Sequence, residues 1–143
     1  MNIKLENNDK MLLPTLGSSG AGGYDLRSNE DVIVPYGQIV KVSTGISLEI
    51  PEGYIGNICP RSSIFSKGII CSGNNGIIDS DYRGVIKVAV QNLQPDHSDF
   101  IIHKYDRIAQ LVFIEISYAT FSIVDNLSST NRGAGGFGST GTN

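Results

Sequence analysis

The sequence predicts an all-β chain of the sandwich, jelly-roll or barrel kind, and three observations carry that expectation. Its apolar runs are short and rich in Val and Ile, side chains that fit a pleated, half-buried surface. Pro and Gly punctuate the chain between those runs, as turns between many short strands require. Almost nothing repeats at helical spacing, so amphipathic helices have no sequence support.

Taken in order, DVIVP at 31–35 reads as a strand closed by Tyr36 and Gly37. The stretch from Gln38 to Ile50 runs through IVKVSTGISLEI, and Pro51, Glu52 and Gly53 turn it. Ser62 to Lys67 is the one stretch with the capacity for a short helix. In VIKVAV at 85–90, Ile86, Val88 and Val90 share one face while Lys87 and Ala89 share the other, the alternation of a half-exposed strand. The stretch from Ile108 to Ile116 is more continuously apolar and predicts a strand buried on both faces. From about Ser128 the chain becomes glycine-rich. These features predict one β domain over 1–127 and a flexible C-terminal arm over 128–143.

A chain of 143 residues suits a single core. With 40% hydrophobic and 17% charged residues it reads as an ordinary globular protein rather than a disordered one. The net charge of -3 argues against a general nucleic-acid surface, so any anionic ligand must be met by a few placed cations. The start, MNIKLENNDK, lacks the apolar core of a signal peptide, and no run approaches a membrane span. A cytoplasmic protein without a membrane partner is therefore expected, although a nuclear one would look the same. Cys59 and Cys71 are too few for a disulfide framework or a zinc site and are expected to be buried free thiols.

Polar islands interrupt this scaffold: AGGYDL at 21–26, PRSSIFSKG at 60–68, NNGIIDSDYRG at 74–84, YDRIAQL at 105–111, and the tail NRGAGGFGSTGTN at 131–143. They hold Asp25, Arg61, Ser62, Asp79, Asp81, Tyr82, Arg83, Asp106, Arg107, Gln110 and Arg132. Guanidinium forks converging from distant positions suit a polyphosphate. Carboxylates among them suit a divalent cation or a water nucleophile. Each island alone also has an ordinary explanation, since Asp and Gly gather in turns and Arg–Asp pairs are common at surfaces.

Other motifs fail on context. GAGGFG at 133–138 matches a dinucleotide loop, but only five residues follow it and no strand–loop–helix frame surrounds it. The stretch from Asp79 begins like a calcium loop, yet its fifth position is Arg83 and its twelfth is Val90. His97 and His103 have no metal-binding companion in sequence and read as loop residues.

In order, spacing and content the five islands resemble the motifs of the trimeric dUTPase family, from AGGYDL to GFGSTG, over nearly the whole chain. The resemblance implies a β jelly roll, or distorted barrel, assembled as a homotrimer with its active sites at subunit junctions. It implies hydrolysis of dUTP to dUMP and pyrophosphate, which limits uracil in DNA and supplies dUMP for thymidylate synthesis. It implies Mg2+ as cofactor and no direct binding of nucleic acid.

Residue by residue, Asp79 matches the carboxylate that activates water against the α-phosphorus. Tyr82 matches the ring packed on the deoxyribose, where a 2′-hydroxyl would be desolvated. The hairpin around Asn74 and Asn75, with Gly76 and Ile78, matches the segment reading the uracil edge, although many relatives have small residues at 74 and 75. Arg61 and Ser62 match phosphate contacts, joined by Ser63, which stands where many relatives have Gly. Gln110 matches another phosphate contact, with Asp106 and Arg107 holding the site together, and Lys87 belongs to the same substrate-binding set. Tyr105 departs from the Gly usual before that Asp. Asp25 matches a carboxylate that holds waters around magnesium. In the tail, Arg132 matches a γ-phosphate contact, Phe137 a ring stacked on uracil, and Gly138, Ser139 and Thr140 a phosphate cradle. A dCTP deaminase shares the fold but needs a different carboxylate arrangement. A non-enzymatic nucleotide sensor would share the pocket.

Overall fold

Short strands joined by glycine-bearing turns make up nearly all of the regular structure in the computed structural model, which describes residues 1–71 and 76–136. The strands are β1 (Lys4–Glu6), β2 (Thr15–Leu16), β3 (Tyr24–Arg27), β4 (Val32–Val34), β5 (Ile39–Ser43), β6 (Ser47–Glu49), β7 (Tyr54–Cys59), β8 (Ile69–Cys71), β9 (Gly76–Ile78), β10 (Lys87–Asn92), β11 (Phe100–Ile102) and β12 (Arg107–Glu115). A 3-10 turn at Lys10–Leu12 and one turn of helix, α1 (Ser62–Phe65), complete the described elements. No helix among the described residues is long and apolar enough to cross a membrane.

The strands pair antiparallel in four sheets, ordered β2-β3-β12-β7-β9, β5-β10-β8, β1-β6 and β11-β4. Their inward faces meet in one cluster that includes Leu26, Val42, Ile58, Ile86, Val88, Val90, Ile108 and Leu111. The predicted alternation in the 85–90 stretch is realised: Ile86, Val88 and Val90 are buried and Lys87 is exposed. Two buried polar groups tie the layers. Asn92 donates to the carbonyls of Val34 and Ser98 and accepts from the Gln94 amide, while Thr44 donates to the Ile86 carbonyl. Both of these side chains are thereby satisfied, as burial demands.

Several expectations need correction. The run from Gln38 to Ile50 is two strands, because Gly45 turns the chain at a φ of +68° where a Cβ would lie 2.9 Å from both Asn29 and Leu12. The apolar stretch at 108–116 is not buried on both faces throughout. Its first half is covered, whereas Ile114 and Glu115 are exposed, because β12 outruns the layer packed on it. Cys59 and Cys71 are free but half-buried rather than buried. Partial burial still pushes the Cys71 thiol pKa up, and the nearby Cys59 adds to the shift. The island AGGYDL is not a loop at its end: Tyr24–Arg27 forms β3, with Asp25 and Leu26 buried.

Candidate functional site

The polar residues singled out from sequence separate into two groups in the chain. The first gathers on Asp25, whose residue is only 2% exposed. Asp25 sits on β3 directly opposite Gln110 on β12. In a regular strand Arg107 and Gln110, three positions apart, would face opposite sides. A register shift between Arg107 and Ala109 adds one residue to β12 and restores the parity. Both side chains therefore reach Asp25. Arg107 Nη1 lies 3.2 Å from Oδ2 and Gln110 Nε2 donates to Oδ1 at 3.4 Å.

The third partner enters from the residue that precedes the helix. Arg61 is the extended residue before α1, and its Nε lies 3.0 Å from Asp25 Oδ1. Its Nη1 donates to Ser63 Oγ at 3.3 Å and to the Arg107 carbonyl at 3.4 Å. Burial of a carboxylate without partners would be costly, and here two guanidiniums and an amide offset that cost. A cavity of about 200 Å³ opens beside this cluster, lined by Arg61, Ser63, Lys67, Asp106 and Arg107 above an apolar floor of Phe100, Ile102 and Ile108. Ser63, at the cavity, and the neighbouring Ser62 are both exposed. Lys67 was not singled out from sequence; its place at the end of a short helix gives no periodic signal.

The turn preceding β12 is built around Tyr105, which adopts a φ of +73°. This is the left-handed region that glycine enters without strain, so the tyrosine must be held there. The Tyr105 amide donates to the Ser28 carbonyl at 2.7 Å, Arg27 donates to the Tyr105 carbonyl, and the Tyr105 hydroxyl donates to Asp9 Oδ2 at 2.9 Å. Bonds from the Met11 amide, first, and from Tyr105 hold the Asp9 carboxyl below its usual pKa. Asp106 caps the turn by accepting from the His103 amide at 2.9 Å.

The second group lies around Asp79, just past β9. Asp79 and Tyr82 are exposed, and with Ile77, Ile78, Lys41 and Lys87 they line a cavity of about 340 Å³. The turn is pinned by its own atoms: the Tyr82 amide donates to the Asp79 carbonyl, and Arg83 Nη1 donates to the carbonyls of Ser80 and Tyr82. The Tyr82 ring lies over Gly84, where a Cβ would come within 2.4 Å of the phenol oxygen. Its hydroxyl donates to the Val85 carbonyl. Lys41, also not singled out from sequence, is legible only through pairing. It lies opposite Ala89 as Ser43 lies opposite Lys87, so Lys41 and Lys87 share a face.

The two groups do not meet within one chain. Asp79 lies three strands from Asp25 in the sheet order and four residues along it. Ordinary strand spacing and rise put the two on the order of 20 Å apart. Beyond Glu115 the described chain carries no regular element, and Arg132 is exposed, its Nε donating to the Gly135 carbonyl at 2.9 Å. Asn74, Phe137, Gly138, Ser139 and Thr140 lie outside the described residues.

Among the described residues no group of three or more His, Cys, Asp or Glu side chains could hold a metal ion. Asp25 has both oxygens engaged by cations. The side chains present do not fit as a direct ligand set for magnesium.

A dUTPase family model matches residues 9–141. A deoxyuridine 5'-triphosphate nucleotidohydrolase of Paramecium bursaria Chlorella virus 1 is 49% identical over 129 residues, 90% of this chain and 89% of that protein. The enzyme of that name from Nautilia profundicola is 45% identical over 145 residues and covers 99% of both. A Staphylococcus bacteriophage 80alpha dUTPase, solved with dUPNHPP, superposes with a TM-score of 0.89 at 26% identity, covering 98% of both chains. The chain belongs to the dUTPase family.

Proposed function

We infer that the chain is a dUTP nucleotidohydrolase, converting dUTP to dUMP and pyrophosphate by attack of water on the α-phosphorus. The observation that carries this reading is its near-full-length likeness to relatives named for that activity. The site's chemistry is consistent with it. Asp79 is the general base, exposed to water and free of any ion pair among the described residues. A carboxylate in that state can orient water and accept its proton. Tyr82, held over Gly84, presents its ring to the deoxyribose, so that a 2′-hydroxyl would lose hydrogen bonds against it. Asn74, Gly76 and Ile78 read the uracil edge, and Lys87 lies in the same cavity.

Arg61, Ser62, Ser63 and Gln110 bind the phosphate chain and stabilise charge on the leaving pyrophosphate. The donors of Arg61 and Gln110 are held by Asp25 before substrate arrives, the preorganisation on which electrostatic stabilisation depends. Arg132 and the segment Phe137, Gly138, Ser139 and Thr140 close over the γ-phosphate and the base. A magnesium ion carried by the triphosphate would keep most of its water shell, and Asp25, with both oxygens engaged by guanidiniums, would not be its direct ligand. Bound with the triphosphate, the ion would neutralise phosphate charge.

The assembly is a homotrimer of jelly-roll subunits whose sites combine residues of different copies. The separation of Asp79 from Arg61 and Gln110 within one chain supports this, since a single triphosphate must meet both. So does the segment after β12, where Tyr118, Phe121, Ile123 and Leu127 are 71%, 96%, 103% and 88% exposed. Such apolar exposure is costly unless another surface covers it.

Pyrophosphate release from dUTP, UTP, dCTP and dTTP in magnesium tests the function. Turnover of dUTP alone is expected, while equal turnover of all four would refute the specificity and ammonia release from dCTP would indicate a deaminase.

A further inference from the structure

We propose that Asp25 is a positioning residue that acts through Arg61 and Arg107, setting the guanidiniums beside the phosphate site in place rather than holding the waters of a metal ion. The proposal rests on the reading of the Arg61 cavity as the phosphate site.

Its geometric basis is the division of one carboxylate between two guanidiniums. Arg61 Nε takes Oδ1 at 3.0 Å and Arg107 Nη1 takes Oδ2 at 3.2 Å, while Gln110 adds a weaker bond to Oδ1. Asp25 is sealed from solvent, its side chain 3% exposed. Its oxygens therefore face protein donors rather than bulk water, and charge-assisted bonds of this kind are the strong ones. Arg61 is fixed twice more, by Ser63 Oγ and by the Arg107 carbonyl. A long, rotamer-rich side chain is thus immobilised before any ligand binds, which removes an ordering cost from binding.

The charge balance points the same way. One carboxylate between two guanidiniums leaves the trio with one positive charge in excess, and of the other side chains lining the cavity Lys67 adds a charge that Asp106 offsets. An anion entering there is attracted. A divalent cation approaching Asp25 closely would meet two guanidiniums of like charge about 3 Å from the carboxylate. Without Asp25, the two arginines would repel one another across the space it fills and swing toward solvent.

The experiment separates the metal from the arginines. Inorganic pyrophosphate is titrated calorimetrically into the full-length protein in EDTA, with Asp25→Asn and Asp25→Glu beside the wild type. The Asn variant is expected to bind at least about tenfold more weakly, the loss of roughly one charge-assisted hydrogen bond. The Glu variant should recover part of that loss. The magnesium concentration giving half-maximal dUTP turnover should stay within about twofold of wild type, since the proposal leaves the ion to the substrate. Pyrophosphate binding in EDTA unchanged by Asp25→Asn, together with a raised magnesium requirement, would overturn the proposal.

A second readout needs no variant. In the wild-type protein the Arg61 Nε–H should exchange slowly with solvent, as a bond to a buried carboxylate requires, and should remain slow when magnesium chloride is added without nucleotide. Rapid exchange, or release of that proton by magnesium alone, would overturn it as well. Absence of dUTP turnover by the wild type would instead refute the functional reading, and the exchange measurement would still report on the bond.

Discussion

The Asp25 cluster and the Asp79 turn both present a carboxylate, yet they are built on opposite principles. Asp25 is buried on a central strand and engaged by three side chains, one from the residue before α1 and two from β12. Asp79 is exposed at the end of an edge strand, in a turn whose bonds are all made within a few residues. The charge of the first carboxylate is matched by the protein's own cations, and the second has no ion pair among the described residues. Burial of a charge has to be matched by partners that fold the chain around it, so the Asp25 cluster is at once structural and functional. The Asp79 turn can change without consequence for the fold.

The largest effect expected from this contrast is on Asp79. Substitution Asp79→Asn keeps the shape and removes the base. Turnover of dUTP should fall by about 10²- to 10⁴-fold, the range for losing a general base, while the melting temperature stays at the wild-type value. Retention of half the rate would exclude Asp79 from the role. Arg61→Gln should behave otherwise. It removes one of two cationic partners of a buried carboxylate, so stability is expected to fall by about 3 kcal/mol, the scale for breaking a buried ion pair, and dUTP affinity should fall with it. Denaturant unfolding of the two variants side by side distinguishes the regions; equal stability would erase the contrast.

Smaller in size but sharper in meaning is a mixture of chains. Asp79→Asn chains and chains ending before Arg132 are each expected to be inactive alone. If a site takes Asp79 and the tail from different copies, co-expression should restore activity in mixed trimers. A working site needs Asp79 from a truncated chain and the tail from an Asp79→Asn chain, which random mixing supplies at about one site in four. Recovery toward a quarter of wild-type turnover is expected, with mixing checked by mass. No recovery would show that each chain builds its site alone.

How much of this was legible in the sequence follows the same divide. The Asp79 turn is local, and its residues stand together in IDSDYRG, where turn chemistry and spacing can be read directly. The Asp25 cluster is made by pairing. Nothing in YDL announces that Asp25 lies in a central strand, since Asp disfavours strands, and nothing in YDRIAQL announces the added residue that turns Arg107 and Gln110 to one face. Tyr105 illustrates the limit most plainly. Its departure from glycine put the turn in question, yet the turn forms because Ser28, Arg27 and Asp9, all remote in sequence, hold it. Alternation predicted β10 well because it depends on one strand's two faces. Continuous apolarity misled for the second half of β12, where Ile114 and Glu115 are exposed.

The smallest expected effect concerns Gly84, and it separates placement of a side chain from stability of the fold. A methyl group there would stand 2.4 Å from the Tyr82 phenol oxygen and 2.6 Å from its ring, with no backbone atom among its three nearest neighbours. The obstruction is the far end of an exposed side chain, 44% accessible, so Tyr82 can swing away without disturbing the core. Gly84→Ala should therefore change stability by no more than about 0.5 kcal/mol, as exposed substitutions usually do. On the proposed reading, however, the displaced ring would no longer cover the sugar. Discrimination of dUTP against UTP in kcat/KM should fall by about tenfold, the scale on which a pocket distinguishes one small group. Turnover of dUTP itself should fall less, because Asp79 and the phosphate contacts are untouched. Measured as the ratio of the two specificity constants, an unchanged preference for dUTP would show that the ring position over Gly84 does not set sugar selection. A large drop in melting temperature would show that the Asp79 turn is as structural as the Asp25 cluster.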